Sequence, residues 1–475
     1  MSQGETVEGS PRDRGAVIST DNATDTPDST DGPGPRRTEP KKGFLARITT
    51  ATAFGEGLDG YDLGVISVVL PLIITEFGLS AVQAGLMGAS TLIGIFFGAP
   101  VFGYLTDRFG RKKIFILDLI AFVVIGALQG VVTSNGQLLA LRFLLGLAIG
   151  AEYAIGQTML AEFVPSKGRG RRLSSLQASW YGGFLLAVLV AYALKGAGVD
   201  WRWILATGAI PGLATLILRQ GLPESPRWLA SQGQEEEARE VVAENLGTAY
   251  YEDEELHEED GEDSRFSDLF NADNWRRTAF ASIFFTCMVA PYFAIFTFAP
   301  TVFASLGVHD PKGSVVGTNT VAFLGALAGM FVIERVGRRP LLLTSFYVMV
   351  GTLAVIGGWG SAPSYLLIVC FIGFAFFNAI SGDLTGVYPA EIFPSELRGT
   401  GVGFAAAMSR IGAAGGTFLL PIGIDHLGVG PTVLIGAGVC VVGLVVTHLW
   451  APETTDLTLT RTESEPPAAQ ADRYS

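Results

Sequence analysis

Three carboxylates, Glu56, Asp59 and Asp62, stand at steps of three in an otherwise apolar stretch near the start of the chain. On a helix that spacing places them near one face. A second apolar stretch carries Arg142 and Glu152, with the small residues Gly146 and Gly150 between them. Ionisable groups inside a membrane span are costly, and they mark a water-filled cavity, a proton relay or an ion pair. A depth estimate connects two of them. Asp62 lies ~15 residues above the inner end of its stretch, or ~22 Å at 1.5 Å per residue. Arg142 lies ~5 residues below the outer end of its own, which is also ~22 Å up a ~30 Å core. The two can meet. A guanidinium favours an ionised carboxylate beside it, whereas desolvation favours the protonated form. A pair whose surroundings change can therefore take up and release a proton; a static ion pair would satisfy the same two charges.

Other polar side chains are scattered through apolar stretches. Tyr292, Thr297, Asn319, Asn378, Asp383 and Arg410 belong to the second half of the chain, and Gln157, Gln177, Trp180 and Tyr181 to the first. Amides and aromatic faces suit a hydroxyl-rich ligand, and Arg410 suits a carboxylate. Each aromatic serves equally well in helix or lipid packing.

The elements that must hold these groups follow from composition. Of 475 residues, 49% are hydrophobic, 16% are charged and 60 are glycine; the mean hydropathy is +0.40. A soluble chain carries about 25% charge. Here the apolar residues form blocks of ~20, the length that crosses a ~30 Å hydrocarbon core as a helix, and glycine permits close packing of such helices. We place spans at roughly 48–76, 82–106, 113–133, 137–163, 174–195 and 201–220, then at roughly 277–306, 313–335, 340–360, 363–390, 399–423 and 430–450. The fold class is an all-α membrane protein of twelve transmembrane helices. The expected organisation is a disordered N-tail (1–44), a first six-helix bundle (45–220), an acidic central loop (221–276) with a helix-like stretch at Gln234–Leu246, a second bundle (277–451) and a C-tail (452–475).

Basic residues set the expected orientation. Arg108, Arg111, Lys112 and Lys113 lie between spans 2 and 3; Lys167, Arg169, Arg171 and Arg172 between spans 4 and 5; Arg335, Arg338 and Arg339 between spans 8 and 9; and Arg398 between spans 10 and 11. The alternate loops 1–2, 3–4, 9–10 and 11–12 have neither Lys nor Arg. By the positive-inside rule both termini and the central loop face the cytoplasm, in a plasma membrane.

The net charge of −13 resides mainly in soluble segments such as Tyr251–Asp263, and no nucleic-acid partner is expected. Cys287, Cys370 and Cys440 lie inside apolar blocks, and the four histidines form no ligand spacing. Neither a disulfide framework nor a metal or other cofactor is expected. No G-x-x-x-x-G-K-[ST] sequence is present, which argues against ATP-driven pumping, and no nucleophile–base constellation suggests an enzyme.

The two halves repeat one another. DRFGRK at 107–112 matches ERVGRR at 334–339, AEFVPSKGRG at 161–170 matches AEIFPSELRG at 390–399, and the Pro-Glu pair at 223–224 recurs at 452–453. Parallel repeats with the substrate held between them are a known transporter plan. Together with GYDLGVIS (60–67), GYLTDRFGRKK (103–113) and PESPRWL (223–229), these motifs resemble the major facilitator superfamily, in its "sugar and other" transporter branch. The resemblance implies two pseudo-symmetric six-helix bundles and proton-coupled symport, or sodium in place of the proton, of a small polar solute by alternating access. It implies that Asp62 and Arg142 form the proton-coupling pair, with Asp59 as the rival carboxylate. It further implies an inner salt-bridge gate of Asp107, Arg108, Gly110, Arg111, Glu162 and Arg169, with Glu334, Arg338, Glu391 and Arg398 as counterparts. The DGYD grouping at 59–62 also resembles organic-acid symporters, so an organic or aromatic acid stays open beside a sugar. A membrane sensor that retained the fold is the reading from a different class.

Overall fold

The computed structural model describes residues 41–164, 169–247, 266–308 and 310–454. Residues 1–40 and 455–475 of the expected tails, and the acidic run at 251–263, lie outside these residues. Among the described residues, twelve helices are long and apolar enough to cross a membrane: Gly43–Phe77, Ala81–Phe109, Arg111–Val131, Asn135–Phe163, Arg172–Gly196, Trp201–Arg219, Trp275–Thr297, Pro311–Ile333, Arg338–Gly358, Ser364–Gly382, Leu397–Leu427 and Val429–Trp450. They are spans 1 to 12 below. Large apolar side chains such as Leu117, Ile120 and Val124 on span 3 and Ile210, Leu213 and Ile217 on span 6 are exposed. Outward-facing apolar surface on such helices is what lipid contact requires.

Three spans depart from the continuous helices expected. Span 6 is two helices, Trp201–Ala206 and Ala209–Arg219. Span 7 ends at Thr297, and a separate helix, Ala299–Ser305, follows with Pro300 in its first turn. Proline has no N–H to bond the preceding turn and is at home in the first turn of a helix, so a new helix starts there and the break falls at Phe298. Span 10 stops at Gly382, and Leu384–Ile392 resumes beyond Asp383. Hydropathy is blind to such breaks, because the flanking residues stay apolar. In the central segment the expected helix near 234–246 is present as Glu235–Asn245.

The packing repeats with the sequence. Span 1 packs on span 5 as span 7 packs on span 11, and span 2 packs on span 4 as span 8 packs on span 10. Two seams join the halves, span 2 against span 11 and span 5 against span 8; the repeat interchanges them. Close approaches depend on missing side chains. A Cβ built on Gly183 would overlap the Gly57 carbonyl, and one on Gly146 would overlap the Thr91 carbonyl. Stripes of small residues let membrane helices approach this closely. Gly183→Val is expected to force spans 1 and 5 apart and destabilise the protein by about 1–3 kcal/mol or more, read as earlier thermal unfolding in detergent.

The turns after spans 2 and 8 are built alike. Gly110 has φ +99° and Gly337 has φ +92°, a region that side-chain-bearing residues rarely adopt. These turns share one end of the bundle, the motif face, with the starts of spans 1, 5, 7 and 11.

Candidate functional site

Asp62 and Arg142 meet. Arg142 Nη1 donates to Asp62 Oδ2 at 2.8 Å, and both side chains are at most 1% exposed. The close approach of spans 2 and 4 at Gly146 fixes Arg142 from one side. On span 1, Gly60 and Gly64 approach the backbone of span 5 at Trp180 and Phe184, which holds Asp62 from the other. The pair is incompletely satisfied: Asp62 Oδ1 and Arg142 Nε and Nη2 are buried without a hydrogen bond. A buried ion pair left short of partners is held by a modest margin, because desolvation offsets much of its Coulomb attraction.

Toward the motif face, the same side of span 1 meets a second set of buried charges. Glu152 on span 4 and Arg219 on span 6 form a two-pronged ion pair, Arg219 Nη1 to Glu152 Oε2 at 2.7 Å and Nη2 to Oε1. The guanidinium lies 3.4 Å from the Phe115 ring centroid. Gly55 makes room for the pair, since a Cβ there would overlap both partners. Asp59 faces this group with both carboxylate oxygens buried and without a hydrogen bond. Glu56 is 3.5 Å from Gln157 Nε2. Arg410, from span 11, stacks 4.6 Å from the Tyr153 ring centroid on span 4, which brings a cation of the second half to the acidic side of the first.

At mid-depth the halves touch through aromatic rings and amides. Trp180 and Tyr181 on span 5 lie 6.2 and 5.8 Å from the Tyr292 ring on span 7, and Tyr181 Oη donates to Asn378 Oδ1 across the seam at 3.4 Å. Gln177 and Tyr181 both line Gly382, at the break of span 10. Beside that break, both oxygens of Asp383 and the hydroxyl of Tyr292 are buried without a hydrogen bond. Asn319 is buried on span 8, and its Nδ2 donates to the Val315 carbonyl of its own helix at 2.8 Å. Thr297 packs toward Gly88 of span 2.

The motif face carries two matching clusters, each inside one half. Arg111 pairs with Glu162, and Ser225 Oγ donates to Glu162 Oε2. Arg338 pairs with Glu391 at 2.7 and 3.0 Å, and Thr454 Oγ1 donates to Glu391 Oε2. The glutamates of the repeated Pro-Glu pairs cap the N-termini of spans 3 and 9. Glu224 accepts from the Arg111 and Lys112 N–H groups at 3.0 Å, and Glu453 from those of Arg338 and Arg339 at 3.1 and 3.2 Å. A carboxylate at a helix N-terminus meets unpaired N–H groups and the positive end of the helix dipole. The Asp107 carbonyl accepts from Trp228 Nε1 at 2.9 Å, Arg108 stacks on Phe109, and Arg398 is half-buried in the first turn of the helix Ser395–Leu427. The side chains of Arg169 and Glu334 lie outside the described residues.

This geometry, two repeats with charges held between spans and paired ion clusters at one face, has counterparts. The family model Sugar (and other) transporter matches residues 48–465. The chain belongs to that family. It is a multi-pass membrane transporter and not an enzyme, as the family's other members are. The inner membrane metabolite transport protein YgcS of Escherichia coli is 38% identical over 421 residues, covering 88% of this chain and 94% of that one. The glucose transporter GlcP of Staphylococcus epidermidis is 31% identical over 433 residues, covering 87% and 95%. A partially occluded inward-open structure of the E. coli xylose transporter XylE superposes with a TM-score of 0.76 at 22% identity, over 88% of this chain and all of that one. It shows the major facilitator fold.

Within this transporter, sequence reasoning missed Asp118, Arg219 and the capping role of Glu224 and Glu453. Asp118 is the one charge in an apolar run from Ile114 to Leu128, a visible signal. Arg219 ends a span and reads like any boundary arginine, until its partner on span 4 is known. Neutralising Glu162 and Glu391 together (Glu162→Gln, Glu391→Gln) is expected to loosen both clusters and shift the population between the two access states. The checking measurement is the labelling rate of single cysteines from each side of sealed vesicles.

Proposed function

We propose that this transporter carries a small polar organic solute such as a sugar together with a proton, by alternating access, with Asp62 and Arg142 as the coupling pair. The observation that carries the reading is the buried 2.8 Å contact between them, with unmet donors and an unmet acceptor on both partners. Movement of one bundle against the other changes the solvation of this pair, and its proton occupancy changes with it. The bundles are residues 45–220 and 277–451, and both termini face the cytoplasm, as the basic loops require. The names of relatives point the same way: GlcP is a glucose transporter, and XylE is a proton:xylose symporter. The aromatic and amide groups at mid-depth, Trp180, Tyr181, Gln177, Tyr292 and Asn378, form the solute site, with Asp383 beside them. The Arg111–Glu162 and Arg338–Glu391 clusters act as the inner gate.

One observation favours a second reading, an organic or aromatic acid as solute. Arg410 enters the first half's acidic side from span 11 and stacks on Tyr153, and a guanidinium is the natural partner of a carboxylate. A proteoliposome screen over sugars, organic acids and aromatic acids, with and without an imposed pH gradient, tests both. Gradient-dependent sugar uptake supports the first reading and gradient-dependent acid uptake the second. Uptake that depends on Na+ and ignores pH contradicts proton coupling.

A further inference from the structure

Five buried ionisable groups from spans 1, 3, 4 and 6 gather on the motif-face side of Asp62, and their charges do not balance. Glu56, Asp59, Asp118 and Glu152 are each at most 4% exposed, and so is the single guanidinium among them, Arg219. Arg219 is already committed to Glu152 through two nitrogens. Among the described residues the other cation in reach is Arg410, which faces Glu56 from span 11; Tyr153 of span 4 also faces Glu56 and Asp59. Uncompensated buried charge is costly, so something must neutralise the surplus carboxylates.

Two observations identify it. Asp118 stands one turn along span 3 from Phe115, whose ring and carbonyl contact the guanidinium of Arg219, so it gathers with Glu152 around the same cation. Ionised carboxylates only accept, so buried carboxylates gathered this closely need a proton to hydrogen-bond one another. Asp59, which faces both, has two buried oxygens and no hydrogen bond. Among the described residues no group of three or more Asp, Glu, His or Cys converges as ligands of a metal ion would. A proton supplies the donor that these oxygens lack.

We propose that Asp59, Asp118 and Glu152 form a second proton-binding site, distinct from the Asp62–Arg142 pair. Its place in coupling rests on the function proposed above; its occupancy does not. Three residues of helix are ~4.5 Å along the axis, so Asp59 sits one turn from Asp62 and Glu56 one turn further toward the motif face. A proton leaving Asp62 breaks one O–H bond and forms another at Asp59. Asp118 and Glu152 then hold it, beside the charge of Arg219.

The test is infrared spectroscopy of the purified full-length protein at neutral pH, in H2O and D2O, reading the C=O stretch of protonated carboxyl groups. The wild-type protein is expected to show this band, Asp118→Asn and Glu152→Gln to lose part of it, and Asp62→Asn to keep the part they lose. Should Asp118→Asn not fold, Asp59→Asn and Glu152→Gln read the same band. A band untouched in every one of these site variants overturns the proposal. So does its displacement by added Na+, which would assign the site to a metal cation. If Asp62→Asn transports with normal coupling while the Asp118-sensitive band persists, the coupling reading fails and this site stands.

Discussion

Arg142→Ala is expected to lower gradient-driven net uptake of solute by about 100-fold or more, while folded protein is still recovered. Removing one partner of a buried ion pair costs about 3–5 kcal/mol, which corresponds to at least a factor of about 100 in an equilibrium constant. The cost falls on function because the orphaned Asp62 can escape it by keeping a proton. A permanently neutral Asp62 spares the fold and removes the release step from the cycle. Radiolabelled uptake in proteoliposomes, beside size-exclusion profiles in detergent, checks both halves of this expectation. Normal net uptake by the variant would remove Arg142 from the mechanism.

Asp62→Asn is expected to separate accumulation from exchange. The amide keeps the size and the acceptor oxygen that face Arg142 Nη1, but it carries no titratable proton. Accumulation driven by a pH gradient should fall to the level of simple equilibration, whereas exchange of internal for external solute should persist at a comparable rate. Exchange needs only the loaded bundle to reorient; accumulation needs the proton as well. Gradient-driven accumulation at the wild-type level would assign coupling to another group, with Asp59 the first candidate.

Much of this arrangement was legible in the residues. Twelve apolar blocks gave twelve spans, because in a bilayer length and hydropathy are nearly sufficient to define a helix. The meeting of Asp62 and Arg142 followed from counting rise along two helices, since a rigid 1.5 Å per residue converts position into depth. The breaks at Phe298 and Asp383 were not visible, because they turn on local backbone bonding inside apolar sequence. Nor was the Asp118–Glu152–Arg219 group, which takes its members from three spans; depth alone does not say which helix faces which.

The most direct test follows protons and solute together. Wild-type protein is reconstituted in vesicles carrying an internal pH dye, with no imposed pH gradient, and an inward solute gradient is applied. Proton coupling through Asp62 predicts that solute entry acidifies the lumen, and that in Asp62→Asn the solute moves with no pH change. Solute entry without acidification in the wild-type protein would contradict it.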